Sequence, residues 1–227
     1  MLLPALSKAR AKARAISCTN NLKQSMLAQL MYADDNDCMM PVMDENAAKR
    51  NKYSHWPEFL VGNGYISSIR DNALRCPLRQ PGADPVRYYE TNVSYGMNWW
   101  YPGRREGNAA SLLERYIDQR KLKAPSTFLT MADTLMGPNK GNWTNLHQMS
   151  IWQANATLAN QGIHFRHSEK MNGAMGDGHV ESLTPSGLND IQHQPDAMYK
   201  NTAIYGYADV ITYAYSEHVI RIQIYKD

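Results

Sequence analysis

PALSKARAKARAISCTNNLKQSMLAQLMYADDND, residues 4–37, decides the fold. The stretch has no glycine and is built largely from Ala, Leu, Lys, Arg, Gln and Met, the residues that give up least on entering a helix. Apolar residues recur at Leu2, Leu6, Ala9, Ala13 and Ile16, and again at Leu27, Leu30 and Met31, close to the helical period. One long helix is predicted. Met1-Leu2-Leu3-Pro4 lacks a capping Ser, Thr or Asp and reads as the middle of a helix rather than its start. Pro4 suits a first turn, or kinks a longer helix arriving from upstream.

Beyond Asp37 the composition shifts to tyrosine, tryptophan, proline and glycine, the mark of a loop-rich globular segment. Pro57, after Trp56, opens a short helix through Leu60 that Gly62-Asn63-Gly64 closes. Ser111-Leu112-Leu113-Glu114 has capping-box spacing, and ERYIDQRKLK after it predicts an amphipathic helix ended by Pro125. Thr127 to Ala132 reads as a buried strand ending at Asp133. Ile211–Tyr215 and Val219–Tyr225 read as a hairpin. The fold class that follows is α+β, a long N-terminal helix packed on an antiparallel sheet head. It divides into a helix at residues 1–37 and a head at residues 38–227.

Composition sets limits on function. With 43% hydrophobic and 20% charged residues, 227 residues suffice for a true core, which argues against a disordered or collagen-like chain. A net charge of +3 gives no reason to expect a nucleic-acid partner. The charge is uneven, since Lys8, Arg10, Lys12, Arg14 and Lys23 all precede the first acid, Asp34. That basic arm is a solvated helix face, or else a membrane-surface or nucleic-acid contact. Three cysteines, Cys18, Cys38 and Cys76, allow at most one internal bridge and form no C-x-x-C pair. No run approaches the roughly 18 apolar residues of a membrane-spanning helix.

HFRHSEKMNGAMGDGHVESL, residues 164–183, is the most specific local text. Asp177-Gly178 predicts a type I′ turn between strands 173–175 and 179–183, with 163–167 as a third strand of a meander. His167 and Asp177 would then meet across adjacent strands, an imidazole N–H clasping the carboxylate. The rival reading is a metal site of His164, His167, Asp177 and His179, imidazole and carboxylate being ligands for several divalent ions. Tyr95, Trp99, Trp100 and Tyr101 could stack on sugar rings or bases, or anchor a loop to the core. There is no G-x-S-x-G, phosphate-binding loop or dinucleotide fingerprint, so no catalytic residue and no cofactor is expected.

Taken together, the text from Leu2 to Asp37 resembles the segment after the membrane stretch in bacterial proteins with a prepilin-type N-terminal cleavage and methylation domain. Cys76-Pro77, SYGMN at 94–98 and LTMAD at 129–133 look like further landmarks of that group. His167, nine residues, then Asp177-Gly178 matches its H-x9-D-G element. The resemblance ends near Leu183 and leaves residues 184–227 uncovered. It implies a structural subunit of a type II secretion pseudopilus or type IV pilus-like fibre, not an enzyme. Such a subunit is anchored in the inner membrane by an apolar helix half ahead of Leu2, with its head in the periplasm or at the cell surface. Its partners are other pilin-like subunits, met through the N-terminal helix. The resemblance also implies that a disulfide, if formed, joins Cys18 to Cys76, and that Cys38 stands where glycine is expected. Two other functions compete: a glycan-binding module on the same anchor, through Trp99, Trp100 and Tyr101, and a metal-dependent hydrolase.

Overall fold

Leu2–Asp35 form a single helix, α1. The computed structural model describes residues 2–44, 55–69, 71–78, 94–98, 114–122, 124–136, 151–152, 161–192, 210–215 and 218–223. Trp99, Trp100 and Tyr101 lie outside the described residues.

From Leu3 to Arg14 every side chain of α1 is exposed, a length of about 18 Å of helix at the usual rise. From Cys18 onward one face packs on the head, burying Cys18, Leu22, Ser25, Met26, Gln29 and Ala33. This face is partly polar for a reason. Asn21, Ser25 and Gln29 follow one another at four-residue spacing, and each donates to a head carbonyl that would otherwise be stranded under the helix. Asn21 Nδ2 reaches Arg75 O at 2.9 Å, Ser25 Oγ reaches Ala73 O at 2.6 Å, and Gln29 Nε2 reaches Pro41 O at 3.3 Å.

The apolar period in the sequence marks the opposite face. Leu6, Ile16, Leu27 and Met31 are all about half exposed or more, and Ile16, Leu27 and Met31 lie on the side of the helix opposite its buried face. The helix ends where Ala33 O accepts from both Asn36 N and Cys38 N, with Asp37 and Cys38 at φ +53° and +61°. Cys38 thus occupies the left-handed conformation in which glycine is favoured.

The head follows as β1 (Met39–Asp44), α2 (Trp56–Gly62), β2 (Gly96–Asn98), β3 (Glu114–Asp118), β4 (Leu129–Ala132), β5 (Thr134–Met136), β6 (Ile151–Trp152), β7 (Gln161–His164), β8 (Met171–Met175), β9 (Val180–Leu183), α3 (Pro185–Gln192), β10 (Val210–Tyr215) and β11 (His218–Gln223). One sheet runs β6-β2-β4-β8-β9, a second β11-β10-β7-β5, and β1 pairs with β3. Pairing is antiparallel except for β2 with β6 and β7 with β10. The architecture is α+β, a long N-terminal helix with antiparallel sheets. Trp56, Leu60, Leu74, Tyr95, Met97, Ile117, Leu129 and Met131 form the core beneath α1.

Three local expectations are corrected. Glu114–Asp118 is a strand, not a helix, since pairing with β1 satisfies its backbone and outweighs its helix-forming residues. β7 does not join β8 and β9 in a meander; it pairs with β5 and β10 in the other sheet. The turn at Asp177-Gly178 is not type I′. Gly178 alone has positive φ, at +95°, and its N–H bonds to Met175 O while Met175 N bonds to His179 O. That is a three-residue loop with a glycine bulge. The turn with two positive φ values lies earlier, at Ser168 (+50°) and Glu169 (+65°), closed by reciprocal backbone bonds between His167 and Lys170.

Candidate functional site

A single residue joins the two larger sheets. β4 and β5 are one strand interrupted at Asp133, whose N–H bonds to Asn172 O in β8 and whose carbonyl accepts from His164 N at the end of β7. The chain passes from one sheet to the other at this point, and the Asp133 side chain is wholly buried there.

Four side chains converge on that carboxylate from distant parts of the sequence. Cys18 comes from the middle of α1, and its Sγ lies 3.6 Å from both Asp133 oxygens. His167, fixed by the tight turn after β7, places Nε2 3.2 Å from Asp133 Oδ2 and 3.4 Å from Cys76 Sγ. Cys76 follows the 3-10 turn Asn72–Leu74, beneath the α1 seam made by Asn21 and Ser25. One donor atom from each of Cys18, Cys76, Asp133 and His167 lies within 4.8 Å of the others, and all four residues are buried. Arg166, almost fully buried, holds its Nε 3.9 Å from Asp133 Oδ1.

The electrostatics follow from burial and neighbours. Burial alone would lower the His167 imidazole, but the Asp133 carboxylate and the Cys76 sulfur overcome it and raise it to about 9. Burial would likewise raise Asp133, yet the His167 contact and the Arg166 charge hold it below the usual carboxylate range. The two thiols diverge. Burial pushes Cys18 up, and Cys76 and the Asp133 charge push it further. Burial also acts against the Cys76 thiolate, but Cys18 and His167 as hydrogen-bond partners bring Cys76 down. His164 is lowered to about 3, first by burial and then by the Arg166 charge.

Around this group Tyr95 donates its hydroxyl to Cys18 O at 3.0 Å, and Trp56 Nε1 donates to Tyr95 O at 3.1 Å. Asn172 N donates to Asp133 Oδ2 at 3.2 Å. All four residues of the cluster are buried.

The expected His167–Asp177 clasp is not the pair that forms. Asp177 is exposed in the β8–β9 loop, where its Oδ1 accepts from His179 N at 3.1 Å and lies 2.6 Å from His179 Nδ1. His167 turns inward instead, because Asp133 offers it a buried carboxylate with no water to compete. The proposed metal set disperses for the same reason: of His164, His167, Asp177 and His179, only His167 enters the buried cluster. Gly178 has its own role, since a Cβ there would come within 2.8 Å of Leu30 Cδ1 on α1. Cys18 and Cys76 are brought together in the buried cluster, with no disulfide between them. Asp133 had no site role in the sequence reading; a lone acid ending the apolar run Phe128–Ala132 is the signal that points to it.

Comparison with known proteins gives one match. Residues 7–66, which include most of α1 with β1 and α2, match a family model described as "Protein of unknown function (DUF1559)". No curated protein and no solved structure matches the chain. The match is consistent with a pilin-like protein of the H-x9-D-G group, the reading to which the sequence landmarks point.

Proposed function

We propose that this chain is a structural pilin-like subunit, serving a type II secretion pseudopilus or a type IV pilus-like fibre, and not an enzyme. The observation that carries this reading is the division of α1. Its second half is fastened to the head, while Leu3 to Arg14 present only exposed side chains, and an apolar stripe runs along the side opposite the buried face.

Leu6, Ile16, Leu27 and Met31 on that stripe suit packing against the helices of other pilin-like subunits, as in a filament whose helices bundle centrally and whose heads face outward. No helix among the described residues is long and apolar enough to cross a membrane. In this proposal the inner-membrane anchor is an apolar helix half preceding Leu2, and residues 38–227 form the head in the periplasm or at the cell surface. The buried cluster supports a structural role, because the His167 and Asp133 side chains are 3% and 0% exposed and offer a substrate no approach.

Leu27→Glu and Met31→Glu, introduced into the native protein in its source cell, test the assembly reading. Both variants should accumulate in the membrane at normal levels and be lost from the sheared or assembled fraction. Unchanged assembly in both would overturn the reading.

A further inference from the structure

We propose that Cys18, Cys76, Asp133 and His167 form a structural zinc site that staples α1 to the head. This inference stands apart from the assembly reading, since it concerns how the helix is held and not what the helix meets.

The donor set selects the metal. Two thiolates disfavour the oxygen-seeking ions calcium and magnesium, whereas a hard carboxylate is a poor partner for copper(I). Sulfur, nitrogen and oxygen together around one point suit zinc, which accepts all three and imposes no geometry beyond the tetrahedron.

The spacing agrees with this choice. Zinc bonds of about 2.3 Å to sulfur and about 2.0–2.1 Å to nitrogen and oxygen, at tetrahedral angles, separate neighbouring donors by roughly 3.3–3.8 Å. The observed edges are 3.2 Å between His167 Nε2 and Asp133 Oδ2, 3.4 Å between Cys76 Sγ and His167 Nε2, and 3.6 Å between Cys18 Sγ and Asp133. Every donor pair in the set lies within 4.8 Å. The ring of His167 turns Nε2 inward, so one imidazole nitrogen faces the other three ligands.

Charge balances as well. Two thiolates and a carboxylate carry three negative charges in a buried space, and Zn2+ with the Arg166 guanidinium offsets them. Asn172 N orients the Asp133 carboxylate, and reciprocal backbone bonds between His167 and Lys170 close the turn that carries His167. Four protein ligands leave zinc no open position, which marks the site as structural rather than catalytic. The ligands come from α1, the loop after Asn72–Leu74, the β4–β5 junction and the turn after β7, so one ion would fasten four separate elements.

The test uses the full chain, with Cys38→Gly to remove the third thiol, purified without chelator and dialysed against zinc. Metal analysis and native mass spectrometry should give one zinc per chain. Replacement by cobalt should give visible bands of a tetrahedral site and a sulfur-to-metal charge-transfer band, with about half that intensity remaining in Cys76→Ser. Asp133→Asn and Cys18→Ser should weaken zinc binding at least tenfold. Should these variants fail to fold, the cobalt spectrum of the unsubstituted ligand set decides the matter. A folded chain that takes up no metal, zinc affinity and cobalt charge-transfer intensity unchanged in both cysteine variants, or a Cys18–Cys76 disulfide in protein isolated from the source cell would each overturn the proposal.

Discussion

His167 Nε2 stands 3.2 Å from Asp133 Oδ2 with both side chains buried, so the turn after β7 is tied to the point where the chain crosses between two sheets. Removing either partner leaves the other in a place water cannot reach. Asp133→Ala should therefore cost about 3–5 kcal/mol in urea unfolding, the usual penalty for breaking a buried ionic pair. Asp177→Ala should cost less than about 1 kcal/mol, since its contacts with His179 are solvent-accessible. Equal losses at the two positions would contradict this assignment.

The two faces of α1 give a sharper contrast. Leu22 is fully buried, and Leu22→Ala should destabilise the fold by about 2–5 kcal/mol. Leu27 is 57% exposed, and Leu27→Ala should change the stability of the isolated chain by no more than about 0.5 kcal/mol. Denaturant midpoints of the two variants check the orientation of the helix. Similar losses would mean that the helix is rotated from the position described.

Cys38 sits at φ +61°, where a β-carbon is strained. Cys38→Gly should raise stability by about 0.5–1 kcal/mol, read as a higher denaturant midpoint with an unchanged slope. A loss of stability would show that the Cys38 side chain contributes more than its backbone strain costs.

Acid should weaken the fold through His55 before it reaches the carboxylates. Burial holds the His55 pKa below its ordinary value, so the unfolded chain takes up a proton first and stability falls as pH drops below about 6.5. Asp71, lowered by the Ala73 N–H, and Asp118, lowered by Arg120, add a loss of the same sign at lower pH. In both cases the folded chain keeps the charge that the unfolded chain loses first. The difference in stability between the parent chain and His55→Gln should shrink from pH 8 to pH 5. A constant difference would mean that His55 does not titrate differently on folding.

Much of the architecture could be read from sequence where local and tertiary preferences agree. α1 has strong helix formers throughout, Pro57 and Gly62-Asn63-Gly64 bracket α2, Asp177-Gly178 lies in the β8–β9 loop, and the two β-rich runs near the end pair as the β10–β11 hairpin. The failures have one physical source, which is that tertiary partners decide what local chemistry leaves open. Glu114–Asp118 becomes a strand because β1 lies beside it. The buried face of α1 escaped notice because Asn21, Ser25 and Gln29 look like surface residues until the carbonyls they satisfy are known. The cluster could be only half seen. Cys18, Cys76 and His167 each stood out, but Asp133 enters through a crossing between sheets that no spacing in the sequence records.

The most direct test of the central claim is the N-terminus of the native protein, determined by mass spectrometry on the membrane and sheared-surface fractions of its source cell. A mature chain that begins with an N-methylated residue and continues through about twenty apolar residues into Leu2 is the result expected of a pilin-like subunit. A native chain that begins at Met1 and is recovered outside the membrane fraction would contradict it.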